Sequence, residues 1–406
     1  MSPNPKPLVR KAPANATERI LVLGGDIDGN LGDRAILQAT CRELRAICPD
    51  AEIAVVSGQP ERWASEPGLR VLPRGVRGLA SLARAAAQSD LVLCGGGGIF
   101  QDDDSLVKVP YWACRVGLAR LLCRRVLGYS LGVGPLRAPV SRFFARLAFG
   151  CMEEITVRDR GAQRLTESLT KRPAPIVPDP ALLLAAAPPE TARNWLAEQG
   201  VPLNGTPLIG FTSRRWAPPR SRLIPHKIRE RLPAPPAPGP EASRLVVLLA
   251  RVLDEITAKR GALVLFLPSY NVAHEGDDRV CSAVRDAMTQ HPGPILRIDE
   301  PALYKGVAAQ LDVLFAGRMH PTIFAASEGT PVVGLAYGPK FHGFFELLGR
   351  SDQVMDVESF VHETRVAELV AMIDRAFGER AGLTDRVQAL RNDTRDFLRR
   401  VAEGPA

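Results

Sequence analysis

The residues of this chain best suited to chemistry are cations that directly follow short apolar runs. Arg318-Met319-His320-Pro321 comes after the run ending at Ala316. Proline is favoured in the first turn of a helix, so this spacing predicts a strand-to-helix junction with Pro321 opening a helix over Thr322 to Glu328. Tyr337-Gly338-Pro339-Lys340 follows the next apolar run in the same way, and Arg158 follows the run ending at Val157. Taken singly, each has a plain reading. A lone His is more often structural than catalytic, Lys340 would be an ordinary exposed cation, and Arg158 beside Asp159 would be a surface ion pair contributing little. Together, Arg158, Arg318, His320 and Lys340 would make a cationic pocket with one imidazole. Guanidinium and ammonium groups suit an anion carrying both phosphate and carboxylate, and imidazole is the natural proton donor near neutral pH.

Two glycine-rich segments accompany these cations. Gly24-Gly25-Asp26-Ile27-Asp28-Gly29-Asn30-Leu31-Gly32-Asp33 stands between the first predicted strand and the first predicted helix. Glycines there let the backbone turn tightly, and a helix start offers free N–H groups. The segment lacks the Gly-Lys-Ser/Thr of a phosphate-binding P-loop and the Gly-x-Gly-x-x-Gly spacing of a dinucleotide site. A capped turn would account for Asp33 alone, while Asn30, Gly32 and Asp33 together are candidates for a donor or acceptor loop. Gly95, Gly96, Gly97 and Gly98 are read as directly following a strand that ends at Cys94. Such a run suits close backbone approach to a ligand, and equally the packing of one domain on another. Asp102, Asp103 and Asp104 have no spaced second carboxylate or His cluster beside them, so they read as a solvated loop and not as a metal site. No metal and no cofactor is expected.

The elements that must position these residues can be read from apolar runs. Ile20 to Gly24, Ile53 to Ser57, Leu91 to Cys94, Val126 to Leu131 and Ile155 to Val157 read as strands, with a helix over Arg34 to Ile47 capped by Asp33. The second half repeats the rhythm with Leu208 to Phe211, Ala262 to Leu267, Ile295 to Ile298, Val313 to Ala316 and Val332 to Leu335. Apolar runs separated by helical patterns mark parallel sheets covered on both faces. The fold class is therefore α/β, with two doubly wound Rossmann-like domains facing a cleft at the carboxyl ends of their strands. The boundaries read as a disordered tail over 1–18, an N-terminal domain over 19–187 (the acceptor side), a C-terminal domain over 205–378 (the donor side) and a C-terminal helix within 379–406. Between Asp179 and Asn204, Pro188, Pro189 and Pro202 are expected to break regular structure.

Composition sets the outer limits. A chain of 406 residues exceeds what one core usually supports, and 46% apolar with 24% charged residues is ordinary for a globular protein. No apolar run is long enough to span a membrane, and the opening residues lack the apolar core of a signal peptide, so a cytoplasmic protein is expected. The seven cysteines have no two-residue-spaced pair, which fits neither a zinc site nor a disulfide framework. Net charge is +8, and the stretch 214–244 holds eight Lys or Arg against two Glu. The basic excess therefore reads as local to that stretch, with no basic stripe over the folded surface and no nucleic-acid partner. Rich in proline, 214–244 reads as an inserted surface loop, with acceptor contact or peripheral association with the inner face of an anionic membrane as further uses.

The sequence resembles the polysaccharide pyruvyl transferase family. The resemblance is carried by Asn30-Leu31-Gly32-Asp33, Gly95 to Gly98, Val157-Arg158-Asp159, Pro178-Asp179-Pro180, Gly317-Arg318-Met319-His320 and Gly338-Pro339-Lys340, in that order across most of the chain. It implies a glycosyltransferase-B-like fold, phosphoenolpyruvate as donor and a sugar acceptor, whether free, nucleotide-bound or lipid-linked, in a cell-wall or exopolysaccharide pathway. It also implies His320 as general acid, with Arg158, Arg318 and Lys340 holding the donor. A helix N-terminus alone would disfavour protonated His320, whereas a bound trianion would favour it. His342, downstream of Lys340, is the alternative acid. The runner-up function is a nucleotide-sugar-dependent glycosyltransferase of the same fold, and a third reading is a non-catalytic binder of acidic glycans or membranes.

Overall fold

Short apolar runs in this chain become parallel strands because helices cover them on both faces. The computed structural model describes residues 19–63, 68–75, 78–103, 105–216, 240–270, 276–290 and 292–403. The predicted 1–18 tail, Asp104 and positions 217–239 of the proline-rich stretch lie outside the described residues. The first sheet comprises β1 (Arg19–Leu23), β2 (Glu52–Ser57), β3 (Leu69–Pro73), β4 (Leu91–Phe100), β5 (Val126–Val133) and β6 (Glu154–Val157), ordered β3-β2-β1-β4-β5-β6. The second comprises β7 (Leu208–Thr212), β8 (Leu263–Phe266), β9 (Pro292–Ile295), β10 (Val313–Ala316), β11 (Val332–Ala336) and β12 (Val354–Asp356), ordered β12-β11-β10-β7-β8-β9. Counted within its own half, each sheet has the same doubly wound order. All its pairings are parallel, with Ile20 opposite Leu91 in the first and Leu314 opposite Val332 in the second. Every residue of β5, β7, β10 and β11 is buried, which is why these strands show continuous apolar runs and no alternation.

In such a sheet the ligand crevice opens where the strand order reverses. That point falls between β1 and β4 in one half, and between β7 and β10 in the other. The glycine segments follow or end the first pair, and Arg318 and His320 follow β10.

Several expectations need correction. The glycine run does not follow β4 but lies inside it: Gly95 pairs with Tyr129 and Gly97 with Leu131, and the register slips before Phe100. Strands β3 and β12 went unread. The first is an edge strand with an arginine inside and a proline at its end, and the second has three residues. Strand β9 covers Pro292–Ile295 and not Ile295 to Ile298, because an edge strand tolerates prolines that a central one would not. Prolines also start a helix between the halves, Pro189–Glu198, with Pro188 as its cap. The first helix is Leu31–Ile47, capped by Asn30, whose side chain accepts from the Gly32 and Asp33 amides. Asp33 is thereby freed from capping. The helix after β10 is Met319–Ser327, two turns that begin ahead of Pro321. Asp102 is fully buried and accepts from the Arg137 and Ala138 amides, so it braces a loop and is not solvated. The charge reading also fails: a basic surface exists outside 214–244, on two helices of the first half described below.

The two halves share a core. Ile20 and Val22 of the first sheet, Leu265 and Leu314 of the second, and Phe397 and Leu398 of the last helix belong to one apolar cluster. That last helix, Leu383–Glu403, returns to the first half. There Phe397 stacks on Tyr129 with ring centroids 5.4 Å apart, and Arg400 meets Glu154 at 2.7 Å. From the first helix, Arg34 donates to the Asp299 carbonyl of the second half at 2.7 Å. No helix among the described residues is long and apolar enough to cross a membrane.

Candidate active site

A cavity of about 650 Å³ lies between the two switch points, lined among others by Asn30, Gly32, Asp33, Gly98, Arg158, Arg318, His320 and Lys340. Its size falls within the range of small-molecule sites. Eight of the predicted candidates, five from the first half and three from the second, therefore meet in one place. Of the glycine run, Gly98 lines the cavity, while Gly95, Gly96 and Gly97 shape it from within the sheet.

His320 is the second residue of its helix, and its side chain is 15% exposed. Its Nε2 is buried without a hydrogen-bond partner and sits 3.9 Å from Asp179 Oδ2. Burial pushes the imidazole down to about 4. Asp179 opposes that shift, and Arg158, Lys340 and Arg318 add to it. Burial and the surrounding cations thus favour the neutral imidazole. Gly32 of the opposite half packs on this ring so closely that a Cβ there would fall among its atoms. The Gly in Asn30-Leu31-Gly32-Asp33 is required by that contact across the cleft.

Asp179 is the residue that links the cations to the imidazole. It is 3% exposed, caps the short 3₁₀ turn Pro180–Leu183 through the Ala181 amide at 3.0 Å, and receives Arg158 on the same Oδ2 at 3.4 Å. The turn is anchored from beneath by Ser130, whose hydroxyl donates to the Pro178 carbonyl at 3.1 Å. Ser130 holds a φ of +47° within β5, a conformation costly for a residue with a side chain. The structure thus spends backbone strain beside the site. Arg158 is 7% exposed and lies 3.7 Å from Asp159, itself buried and capping the next helix. The surface-pair reading of Arg158 and Asp159 is therefore wrong, because both are in the interior.

The remaining candidates differ in how free they are. Arg318 is held by a fully buried carboxylate, with its Nε 2.9 and 3.0 Å from the two oxygens of Asp277. It also lies 5.3 Å from the centre of the Tyr270 ring. Lys340 starts the helix Lys340–Leu348, and among the described residues no carboxylate lies within ion-pair distance of it. Burial, then the Arg158 charge, push its ammonium down to about 8. Asp33 accepts the Asp26 amide at 2.7 Å, and burial pushes its carboxyl up to about 6. His342 lies away from the cavity, paired with Asp356 at 2.9 Å on the surface. This removes it as an alternative acid.

Other residues also line the cavity. Arg74, bound to Asp26 at 2.7 Å, follows β3 at the same kind of junction as the others and was hidden with that strand. Lys108 and Tyr111 enter from the helix Lys108–Leu122, where no local pattern distinguishes them. Tyr337, pushed up to about 12 by burial, shares a hydrogen bond of 2.8 Å with Ser213 beside Arg214. Asp179 had a signal, its place in Pro178-Asp179-Pro180, but spacing assigned it no role. Among the described residues no three His, Cys, Asp or Glu converge to hold a metal ion.

A family model described as polysaccharide pyruvyl transferase matches residues 30–339. No curated protein matches the chain. Among solved structures, the UDP-GlcNAc 2-epimerase of Methanocaldococcus jannaschii is 12% identical, with a TM-score of 0.56, 92% of this chain covered and 99% of that one. The UDP-GlcNAc 2-epimerase of Neisseria meningitidis bound to UDP-GlcNAc is 11% identical, with a TM-score of 0.50, 93% of this chain covered and 99% of that one. The trehalose-6-phosphate phosphatase N-terminal domain of Candida albicans is 11% identical, with a TM-score of 0.53, 95% of this chain covered and 98% of that one. At such identities the likeness is one of fold, and that fold is glycosyltransferase-B-like, with two Rossmann-like domains.

Proposed function

Because the chain belongs to the polysaccharide pyruvyl transferase family, we propose that it moves the pyruvyl group of phosphoenolpyruvate onto two hydroxyls of a sugar in a cell-surface polysaccharide or its precursor, forming a pyruvate ketal. The observation that carries this reading is the buried, unpartnered Nε2 of His320, with Asp179 at 3.9 Å and a wall of cations around it. Such a site rejects a proton while empty and accepts one when an anion neutralises the cations.

The chemistry follows from that. Donor phosphate and carboxylate lie among Lys340, Arg158 and Arg318, and their charge raises the proton affinity of His320. His320 gives its proton to the donor's methylene carbon, which becomes the methyl group, while positive charge develops at the neighbouring carbon. A sugar hydroxyl attacks that carbon and Asp33 takes the hydroxyl proton, since a carboxyl pushed up to about 6 is a serviceable base near neutrality. The carbon–oxygen bond to phosphate breaks, the cations stabilise the departing dianion, and a second hydroxyl closes the ring. Of the two hydroxyl protons released, one balances that placed on the methyl and the other leaves with phosphate. Asp179 positions His320 and Arg158 and does not touch the donor.

The test is phosphate release that requires both phosphoenolpyruvate and a sugar, together with a thermal shift on phosphoenolpyruvate alone. UDP is the informative control, because the Neisseria epimerase of the same fold is bound to UDP-GlcNAc. A shift with UDP and none with phosphoenolpyruvate would replace this reading with nucleotide-sugar glycosyl transfer. Lys340→Met is the clean probe of the donor site. Arg318→Ala is not, because it would remove the cation paired with the buried Asp277 carboxylate and unsettle the fold whatever the ligand.

A further inference from the structure

The helices Lys108–Leu122 and Pro139–Gly150 pack side by side over the first sheet, burying Val109, Ala113 and Val116 from one and Ala145, Ala148 and Phe149 from the other. Their outward faces are apolar as well. Val140, Phe143 and Leu147, spaced three and four residues apart on one face, are 45%, 57% and 50% exposed. On the neighbouring helix Tyr111, Leu121 and Leu122 are exposed, Leu121 at 85%. A globular surface seldom presents so many large apolar side chains in one place without using them.

The charge around this face is one-sided. Between Ser105 and Met152 the sequence contains eight Lys or Arg and no Asp or Glu, which equals the net charge of the whole chain. Arg120, Arg137 and Arg146 are exposed there. Exposed apolar side chains on a segment that carries arginines and no acids complement a surface with anionic groups at its boundary and hydrocarbon beneath. A second protein would need acids grouped around its own apolar patch, and among the described residues the large apolar side chains exposed away from this segment are Leu79 and Val247, too few to form one.

The face also adjoins the cleft. Helices in a parallel sheet run against their strands, so the first residues of both helices lie at the carboxyl ends of β4 and β5. Lys108, Tyr111 and Arg137 line the cavity as well. We propose that this face docks peripherally on an anionic lipid bilayer and holds the cleft at the membrane surface, where it serves an acceptor sugar carried on a lipid. The docking stands on the surface alone, and the acceptor class rests on the pyruvyl-transfer reading.

Cosedimentation of the full chain with vesicles separates the two, since it needs no turnover. Binding is expected to vesicles of phosphatidylcholine with about a third phosphatidylglycerol, to weaken several-fold between 50 and about 300 mM salt, and to be at least tenfold weaker on phosphatidylcholine alone. The variant Phe143→Ser/Leu147→Ser should bind at least tenfold more weakly while keeping its melting temperature and its phosphoenolpyruvate-induced shift. Absence of binding, or binding the double variant retains, overturns the proposal. So does a stable dimer in sedimentation velocity that Phe143→Glu dissociates, because the face would then belong to a second copy. Docking with no turnover on any lipid-linked sugar would leave the surface assigned and the acceptor class wrong.

Discussion

His320 and Asp33 have proton affinities displaced in opposite senses, and the two displacements act oppositely on stability. The imidazole is held down to about 4, so the unfolded chain takes up a proton near its ordinary value that the folded chain refuses, and stability from this group is lost as pH falls from about 6.5 towards 4. The Asp33 carboxyl is held up to about 6, so its stability is present at low pH and lost as pH rises from about 4 to 6. The effects oppose each other in the same window. Asp33→Asn should therefore raise the free energy of unfolding at neutral pH, by on the order of 1–3 kcal/mol, and the variant's stability should fall more steeply on acidification than the parent's. Turnover should be lost, so that stability is gained at the expense of the base; a fully active Asp33→Asn would exclude it from the chemistry. His320→Gln should keep donor affinity within roughly tenfold and lose at least about a hundredfold in turnover. Calorimetry of phosphoenolpyruvate binding in two buffers of different ionisation enthalpy should show proton uptake by the parent that largely disappears in His320→Gln. The sequence made His320 visible because its junction with an apolar run is local. Its environment was not visible, since Asp179 and Gly32 reach it only through the meeting of two sheets.

Glycines in this chain are legible as a pattern and misleading as punctuation. Read along the chain, Gly95 to Gly98 looks like a strand ending. In the structure the strand continues: Gly96 and Gly97 take φ of +71° and +93° while Gly95 and Gly97 stay paired in register, and the register slips only between Gly97 and Phe100. The missing side chain makes room: a Cβ at Gly97 would meet the Asp33 carboxylate. Strand and helix types were recoverable because the central strands are buried on both faces. Edge elements such as β3, β9 and β12 were missed or misplaced because half-exposure and proline dilute the apolar signal. Gly32→Ala tests the tightest contact of this kind. The added methyl would displace the His320 ring or push back the start of the helix Leu31–Ile47, an overpacking expected to cost about 1–3 kcal/mol. Near-parental stability with activity reduced at least tenfold would mean that the ring moved. Unchanged activity and stability would show that the two halves do not approach as closely in solution.

At the scale of the whole molecule, net charge misled and architecture did not. The basic segment 105–152, whose compensating acids lie elsewhere in the chain, is invisible in the net charge, because a total charge carries no information about faces. The alternation of runs and helical patterns did carry through to two doubly wound sheets. What it could not convey is that they are not independent bodies. One apolar cluster draws on both sheets and on the last helix, which leaves the second half to stack Phe397 on Tyr129 and place Arg400 on Glu154. These two contacts differ in kind. The ion pair is largely exposed, 57% for Arg400 and 30% for Glu154, so Arg400→Ala should change stability by less than about 1 kcal/mol. Phe397 is 4% exposed, and Phe397→Ala should cost about 3–5 kcal/mol by removing its burial and leaving a cavity beside the Tyr129 ring. If the last helix clasps two halves into one cooperative unit, thermal unfolding of the parent should show a single transition, with the calorimetric and van't Hoff enthalpies in agreement. Phe397→Ala should lower that transition, or split it into two as the halves uncouple. A parent that already unfolds in two steps, with Phe397→Ala shifting only one of them, would mean that the shared cluster does not couple the domains.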